Sequence, residues 1–504
     1  MDPDTYGYLS PAVHLFGNGT YVSTWRNFLY PSFLILVLQV FPHLGFISKV
    51  QHIIGLGTAV IIVLTFFRSR VFLPTGKILD GMVRLVALIG AYVYLLSQSP
   101  IMLEHSIRPE ALFPFASAMN MLIGLEFSRR VFLKQRVDGL TSTWTILLII
   151  GAIGTYYLKP AWGLAVGASL LPLALAWLWI PNQWVWKSLS TLTGILLSVI
   201  LFAVPTRILQ RQVNGDFFLP TTLLCTHAQF LQDIIQKDAL SLPMKSPERA
   251  PMLQFAQDIR TAIQSPHYKR YGLTLNPDDL MYRGPLEHLA SGLQNSKWSL
   301  EKFCYYYYFR SWIEHPLAQI QKVEKQMAYF YSPKKVNIYT PNHSLDPLDQ
   351  YHISLKAMHD THYAKWQPLD TYQKSLQNPH FATSLDPHLP HGMRWLMRLL
   401  NNLFLAFLLL SLVGVTIVFF GNDLYRKLLP AALCSLYLSS FNFSNCLTIS
   451  VVHMMSVSRY HFNQISMSVL SQGFEFLFVI ALIITYFSRR QLSQPPVKAN
   501  KKLS

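Results

Sequence analysis

Charge is what this sequence has least of. Only 13% of its 504 residues are Asp, Glu, Lys or Arg, against about 25% in an ordinary soluble domain. With 51% hydrophobic residues and 13% aromatics, that shortage excludes a single soluble fold and points to a multi-pass membrane protein. Acidic residues are scarcer than basic ones, 25 against 42, which leaves a net charge of +17. The excess does not signal nucleic acid, because the basic residues gather in short loops between apolar runs, as orientation signals do. Cysteine is scarce as well. Cys225, Cys304, Cys434 and Cys446 share no CxxC spacing, which excludes a zinc ribbon, a redox motif or a disulfide framework. The first apolar run follows a long polar stretch rather than a short basic one, so no cleavable signal peptide is expected.

Ten apolar runs are present, at about 28–47, 50–67, 82–99, 110–127, 142–158, 161–181, 187–206, 396–420, 427–449 and 463–487. A spanning helix needs about 20 residues at 1.5 Å each. Arg489, Arg490, Lys498, Lys501 and Lys502 follow the last run and predict a cytoplasmic tail. Alternation from that tail puts Arg426 and Lys427, Asn182–Lys187, Arg129–Arg136 and Arg68–Lys77 on the cytoplasmic side. It puts 100–110, Lys159-Pro160, 207–394 and His453–Arg459 outside. Run 28–47 is then one too many, and its interruptions at Pro31, Gln39, Pro42 and His43 predict a helix lying along the outer interface. The expected architecture is an α-helical multi-pass membrane protein with about nine spans plus that juxtamembrane helix. Its parts are an outer loop and interfacial helix over 1–48, about six spans over 49–206, a mainly α extracytoplasmic domain over 207–394, three spans over 395–488 and a basic tail over 489–504.

On that layout several short motifs become informative. Asp4-Thr-Tyr-Gly-Tyr8-Leu, followed by Arg26-Asn-Phe-Leu-Tyr30-Pro31, resembles the first outer loop of membrane glycosyltransferases of the GT-C fold. The protein O-mannosyltransferases and lipid A aminoarabinose transferases belong to that group. Ser106-Ile-Arg-Pro-Glu110-Ala-Leu-Phe resembles its second outer loop. Leu158-Lys159-Pro160 resembles its "RP" step with Lys in place of Arg, and Ser456-Val-Ser-Arg459-Tyr460-His461 resembles the "RY" before the last helix. The resemblance covers the membrane part and not 207–394. Family members carry a membrane helix ahead of the acidic loop, so a chain opening at Met1 is expected to lack that first helix or to be cut short of it.

The resemblance implies a GT-C-like enzyme that moves a sugar from a polyprenyl-phosphate donor to a lipid, glycan or protein acceptor at the outer face, with inversion. An acceptor hydroxyl must lose a proton as it attacks, which is work for a carboxylate base. Asp4 is the expected base, with a helix N-cap as its other reading. Glu110 is a second catalytic candidate or else a helix-terminus carboxylate. Arg459 and Lys159 are expected at the donor phosphate, since fixed cations stabilise developing phosphate charge; interfacial snorkelling is the alternative. Tyr8, Arg26 and Tyr460 are expected beside the donor, the tyrosines doubling as interfacial anchors. His227 and His453 are candidates for the acceptor side or for plain packing. His359, His362, His380, His388 and His391 read as a solvated loop rather than a metal site, and whether a divalent metal assists stays open. The spans are expected to be nearly charge-free at their centres, which favours interfacial chemistry over the alternative of a transporter with a large outer domain. A non-catalytic lipid-binding relative is the other alternative. Membrane lipids are expected partners. The expected location is a bacterial inner membrane with the site facing the periplasm, or otherwise the endoplasmic reticulum membrane.

Overall fold

The computed structural model describes residues 5–22, 26–136, 138–180, 183–210, 218–265, 273–281, 284–294, 296–332, 338–339, 390–452 and 462–492. All regular elements among them are helical. Two short helices open the chain, α1 (Thr5–Asn18) and α2 (Leu29–Val40). The bundle follows with α3 (Gly45–Ser69), α4 (Lys77–Leu96), the short α5 (Gln98–Glu104), α6 (Phe113–Ser128) and α7 (Gly139–Leu158). Then come α8 (Gly163–Ser169), α9 (Leu171–Trp179), α10 (Trp184–Ser198) and α11 (Val204–Gln210). A second helical group comprises α12 (Phe218–His227), α13 (Gln232–Ser241), α14 (Arg249–Gln264), α15 (Pro277–Met281), α16 (Pro285–Leu293), α17 (Leu300–Glu314) and α18 (Pro316–Phe330). The chain closes with α19 (His391–Phe420), the single turn α20 (Asp423–Arg426), α21 (Leu429–Val452) and α22 (Ile465–Leu492).

Among the described residues seven helical stretches are long and apolar enough to cross a membrane: Gly45–Phe72, Lys77–Leu96, Gly139–Leu158, Pro160–Trp179, Trp184–Leu209, His391–Phe420 and Ile465–Ser488. The chain is therefore an α-helical multi-pass membrane protein. Two expected spans fall short of that standard for different reasons. α6 runs on into a π-turn at Arg129–Leu133, but Asn120, Glu126, Arg129 and Arg130 break its apolar run. α21 has 24 residues, but Ser435, Asn442, Asn445, Thr448 and Ser450 interrupt its apolar run and are buried. Both pack inside the bundle against α22, where polar side chains can meet across helices rather than face lipid. α2, at 12 residues, is too short to cross.

Small residues let the central helices close. A Cβ at Gly473 of α22 would stand 2.5 Å from the Phe66 ring of α3, and one at Gly90 of α4 would stand 3.0 Å from Val469. Helix starts are written locally: the Asp138 side chain accepts from the Thr141 backbone N–H at 2.9 Å in a capping box that opens α7. The second helical group has its own core of Leu224, Ile235, Phe255, Ile259, Leu289 and Phe303. It joins the bundle where α18 lies against the C-terminal end of α21. The starts of α6 and α22 are at this same end, since Ser117 meets Ser466 at 2.9 Å. It is the domain-side end of the bundle.

Candidate active site at the domain-side end

Two proline-initiated turns build the centre of the site. Pro109 opens a 3-10 turn ahead of α6, and Pro160 opens another after α7; proline fits there because the first amides of a helical turn have no internal partner. The turns bring Glu110 and Lys159 together, with Nζ 2.6 Å from Oε1. The carboxyl is 1% exposed and the ammonium-bearing side chain 13%. Lys159 also lies 6.0 Å from the Trp162 ring centre, and buried Trp162 stacks on Phe113 at 3.8 Å. An ion pair in so dry a setting is held in one geometry.

The first two helices supply the neighbouring wall. The Arg26 guanidinium donates to the Tyr8 hydroxyl at 3.2 Å and sits 4.6 Å over its ring. Tyr8 meets Tyr30 edge-on at 5.4 Å. The Tyr30 hydroxyl donates to Gln51 Oε1 at 2.7 Å, and Gln51 Nε2 donates to the carbonyls of Glu104 and Ser106 at 2.6 and 3.0 Å. One continuous chain of contacts thus runs from α1 to Ser106, in the loop that leads into the turn carrying Glu110. Tyr8, Arg26, Glu110 and Lys159 are all drawn to this end of the bundle. Asp4, His453, Arg459 and Tyr460 lie outside the described residues.

Three further groups escaped the sequence reading. His52 Nδ1 stands 2.7 Å from Glu104 Oε2. Gly55 makes room for that carboxyl, because a Cβ there would be 1.8 Å from Oε1. Burial pushes the Glu104 carboxyl above its usual range, and the bond and charge of His52 pull it part of the way back. A histidine and glutamine breaking the apolar run at its start, 50–52, were the available signal. The third is Glu475, fully buried in α22, where the Ser439 hydroxyl donates to its Oε1 at 2.6 Å. The span centres are thus not free of ionisable groups, and a single carboxylate in a long apolar run leaves the run legible as a span.

His227 is fully buried rather than lining an open surface. Its Nδ1 is 2.8 Å from the Leu223 carbonyl, and Nε2 faces Lys322 Nζ at 3.1 Å. Nδ1 therefore carries the hydrogen and Nε2 accepts. Among the described residues no group of three or more His, Cys, Asp or Glu could hold a metal ion.

Elsewhere in the bundle, a half-enclosed cavity of about 230 Å³ opens between α4 and α19 and is floored by α22. Its walls include Val86, Ile89, Leu400, Leu403, Gly473 and Phe476. Tyr339 reaches its edge and donates to Gln472 Oε1 at 2.8 Å. The chain matches no family model, no curated protein and no solved structure.

Proposed function

We propose that the chain is an integral-membrane glycosyltransferase of the GT-C type, taking its sugar from a polyprenyl-phosphate donor. The observation that carries this reading is the Glu110–Lys159 pair, its carboxyl buried, set at the domain-side end of the spans in a bundle that also holds an apolar cavity. A reaction between a lipid-borne donor and a polar acceptor needs charge at that depth and an apolar channel beside it. In the proposed reaction the acceptor oxygen bonds to the anomeric carbon as the bond to phosphate breaks. The acceptor proton passes to a carboxylate, assigned to Asp4, and polyprenyl phosphate leaves with its charge met by Arg459 and Lys159. Attack opposite the phosphate inverts the centre.

The test is release of polyprenyl phosphate from a panel of lipid-phosphate sugars in membranes. Asp4→Asn and Glu110→Gln should each lower turnover by about 10²–10⁴-fold if the carboxylate moves the proton. Turnover unchanged in both would sink the assignment. The buried Glu475 favours a second reading, proton-coupled transport, because intramembrane carboxyls serve proton relays. Proton uptake into vesicles that Glu475→Gln abolishes, without any sugar transfer, would replace the first reading by this one.

A further inference from the structure

Buried amides in this bundle generally find partners. Asn120 donates to Thr155 Oγ1 at 2.8 Å, Asn442 to Ser468 Oγ at 3.3 Å, and Gln472 to the Leu400 carbonyl at 2.8 Å. Four amides depart from this habit: Gln326, Asn445, Asn463 and Gln464 are each 0% exposed, and neither the oxygen nor the nitrogen of any of them has a hydrogen-bond partner. Such groups are uncommon in native interiors and each requires a reason.

Three of the four gather at the domain-side end of α21 and α22. Antiparallel α21 and α22 pair Ser439 with Glu475 and Asn442 with Ser468, so one turn further toward the domain Asn445 comes level with Gln464. On α18 the buried stripe is Gln319, Lys322, Gln326 and Phe330. Lys322 donates to the Ser450 carbonyl at 3.2 Å and Phe330 packs on Cys446 and Ile449, so the stripe faces the end of α21 and sets Gln326 between those contacts, about one helical turn from Asn445. Asn463 precedes Gln464 in the turn that enters α22. Ser117, on the helix whose preceding turn bears Glu110, meets Ser466 two residues on.

We propose that these four amides form a binding wall for a neutral, hydroxyl-rich ring, a sugar without amino or carboxylate groups. Each amide offers donors and an acceptor, and vicinal hydroxyls offer both in return. The four carry no formal charge, and no anion is needed to complete them. α18 covers the wall, so the ring enters between α18 and α21, where the Gln326 side chain turns to meet it. The inference rests on the transferase reading and deepens it, because it names the residues that choose the sugar.

The experiment uses the full chain in lipid nanodiscs free of sugar-based detergent, with methyl glycosides of several configurations as probes. The wild type should show a raised unfolding midpoint with at least one glycoside. Asn445→Leu and Gln464→Met, which remove unpaired polar groups at similar volume, should raise the midpoint without ligand by a few degrees and lose the glycoside response. In turnover they should raise KM for the sugar donor several-fold and alter its sugar preference. Stability gained and recognition lost is a combination that amides serving only as helix glue would not give. Midpoints lowered in both variants, a glycoside response kept, or no response in the wild type would each overturn the wall. A wild-type response that the variants lose, without any transfer of sugar, would leave the wall standing and remove the transferase.

Discussion

Two lysines at the domain-side end of the bundle, Lys322 fully buried and Lys159 partly so, keep different company. Lys159 meets a carboxylate, Glu110, at 2.6 Å. Lys322 meets an imidazole and a backbone carbonyl, at 3.1 and 3.2 Å. Burial drives Lys322 down to about 7 and, with the Lys322 charge, holds His227 well below its usual value. The titratable neighbour of this pair is Tyr308, edge-on to His227 at 5.0 Å, itself pushed up by burial. The comparison separates two uses of a buried amine. A carboxylate makes a permanent charge affordable in a dry site. An amine facing only neutral acceptors is a strut, joining α12 and α18 to the carbonyl end of α21, where the helix dipole favours a cation.

The largest expected effect tests the carboxylate-paired lysine. Lys159→Met removes the cation beside Glu110, and breaking a buried pair from one side costs roughly 3–5 kcal/mol. Thermal unfolding in nanodiscs would measure it. A loss below about 1 kcal/mol, the range of a surface pair, would erase the distinction between the two lysines. The second effect is a pH slope. As pH falls from 10.5 to about 7 the unfolded chain binds the Lys322 proton before the folded protein does, so stability drops across that window and levels off below it. His227, depressed in the folded state, adds a further drop on the acid side of 6.5. Lys322→Met should abolish the upper part of the slope. Its stability at neutral pH should move little, because relief of the buried charge offsets the acceptor left unpaired on His227. Unfolding midpoints across roughly pH 6 to 10 read this out, and a slope that survives the substitution would show that the proton resides elsewhere.

The apolar runs located the helices, because hydropathy over 20 residues is a bulk property of each segment. Their ends moved for local reasons. α3 begins at Gly45, five residues before its apolar run, because a helix tolerates Gln51 and His52 where polar partners meet them and an exposed Lys49 over the Phe46 ring. Among the described residues seven stretches rather than nine pass as spans; one of the two that do not is α21, which buries its Ser and Asn residues among neighbouring helices. Glu110 and Lys159 were legible as separate candidates from their motifs. Their pairing across 49 residues depends on how α6 and α7 pack, which no local pattern records. The four unpaired amides were invisible for the same reason, because being unpartnered belongs to the packing and not to the residue.

Two smaller effects sharpen the contrast between the ion pair and its surroundings. Gly55→Ala would set a methyl 1.8 Å from Glu104 Oε1 and push that carboxyl away from His52. Overpacking of this kind costs about 1–3 kcal/mol, and Gly55→Ala combined with Glu104→Ala should recover most of it. Failure to recover would place the strain in the α3 backbone instead.

The smallest concerns Tyr30. Tyr30→Phe keeps the ring against Tyr8 and removes only the hydroxyl that donates to Gln51 Oε1. Gln51 retains both bonds from its nitrogen, so the cost should be about 1 kcal/mol, the net worth of one hydrogen bond. The consequence for turnover separates two roles for this wall. If Tyr30 only buttresses the turn before Glu110, KM and turnover should fall or hold in step with stability. If the hydroxyl chain from Arg26 to Ser106 sets the depth of Glu110, Tyr30→Phe should lower kcat several-fold while Lys159→Met abolishes any further loss in the double variant. That non-additivity, measured as a double-mutant cycle, would tie the tyrosine wall to the ion pair as one device.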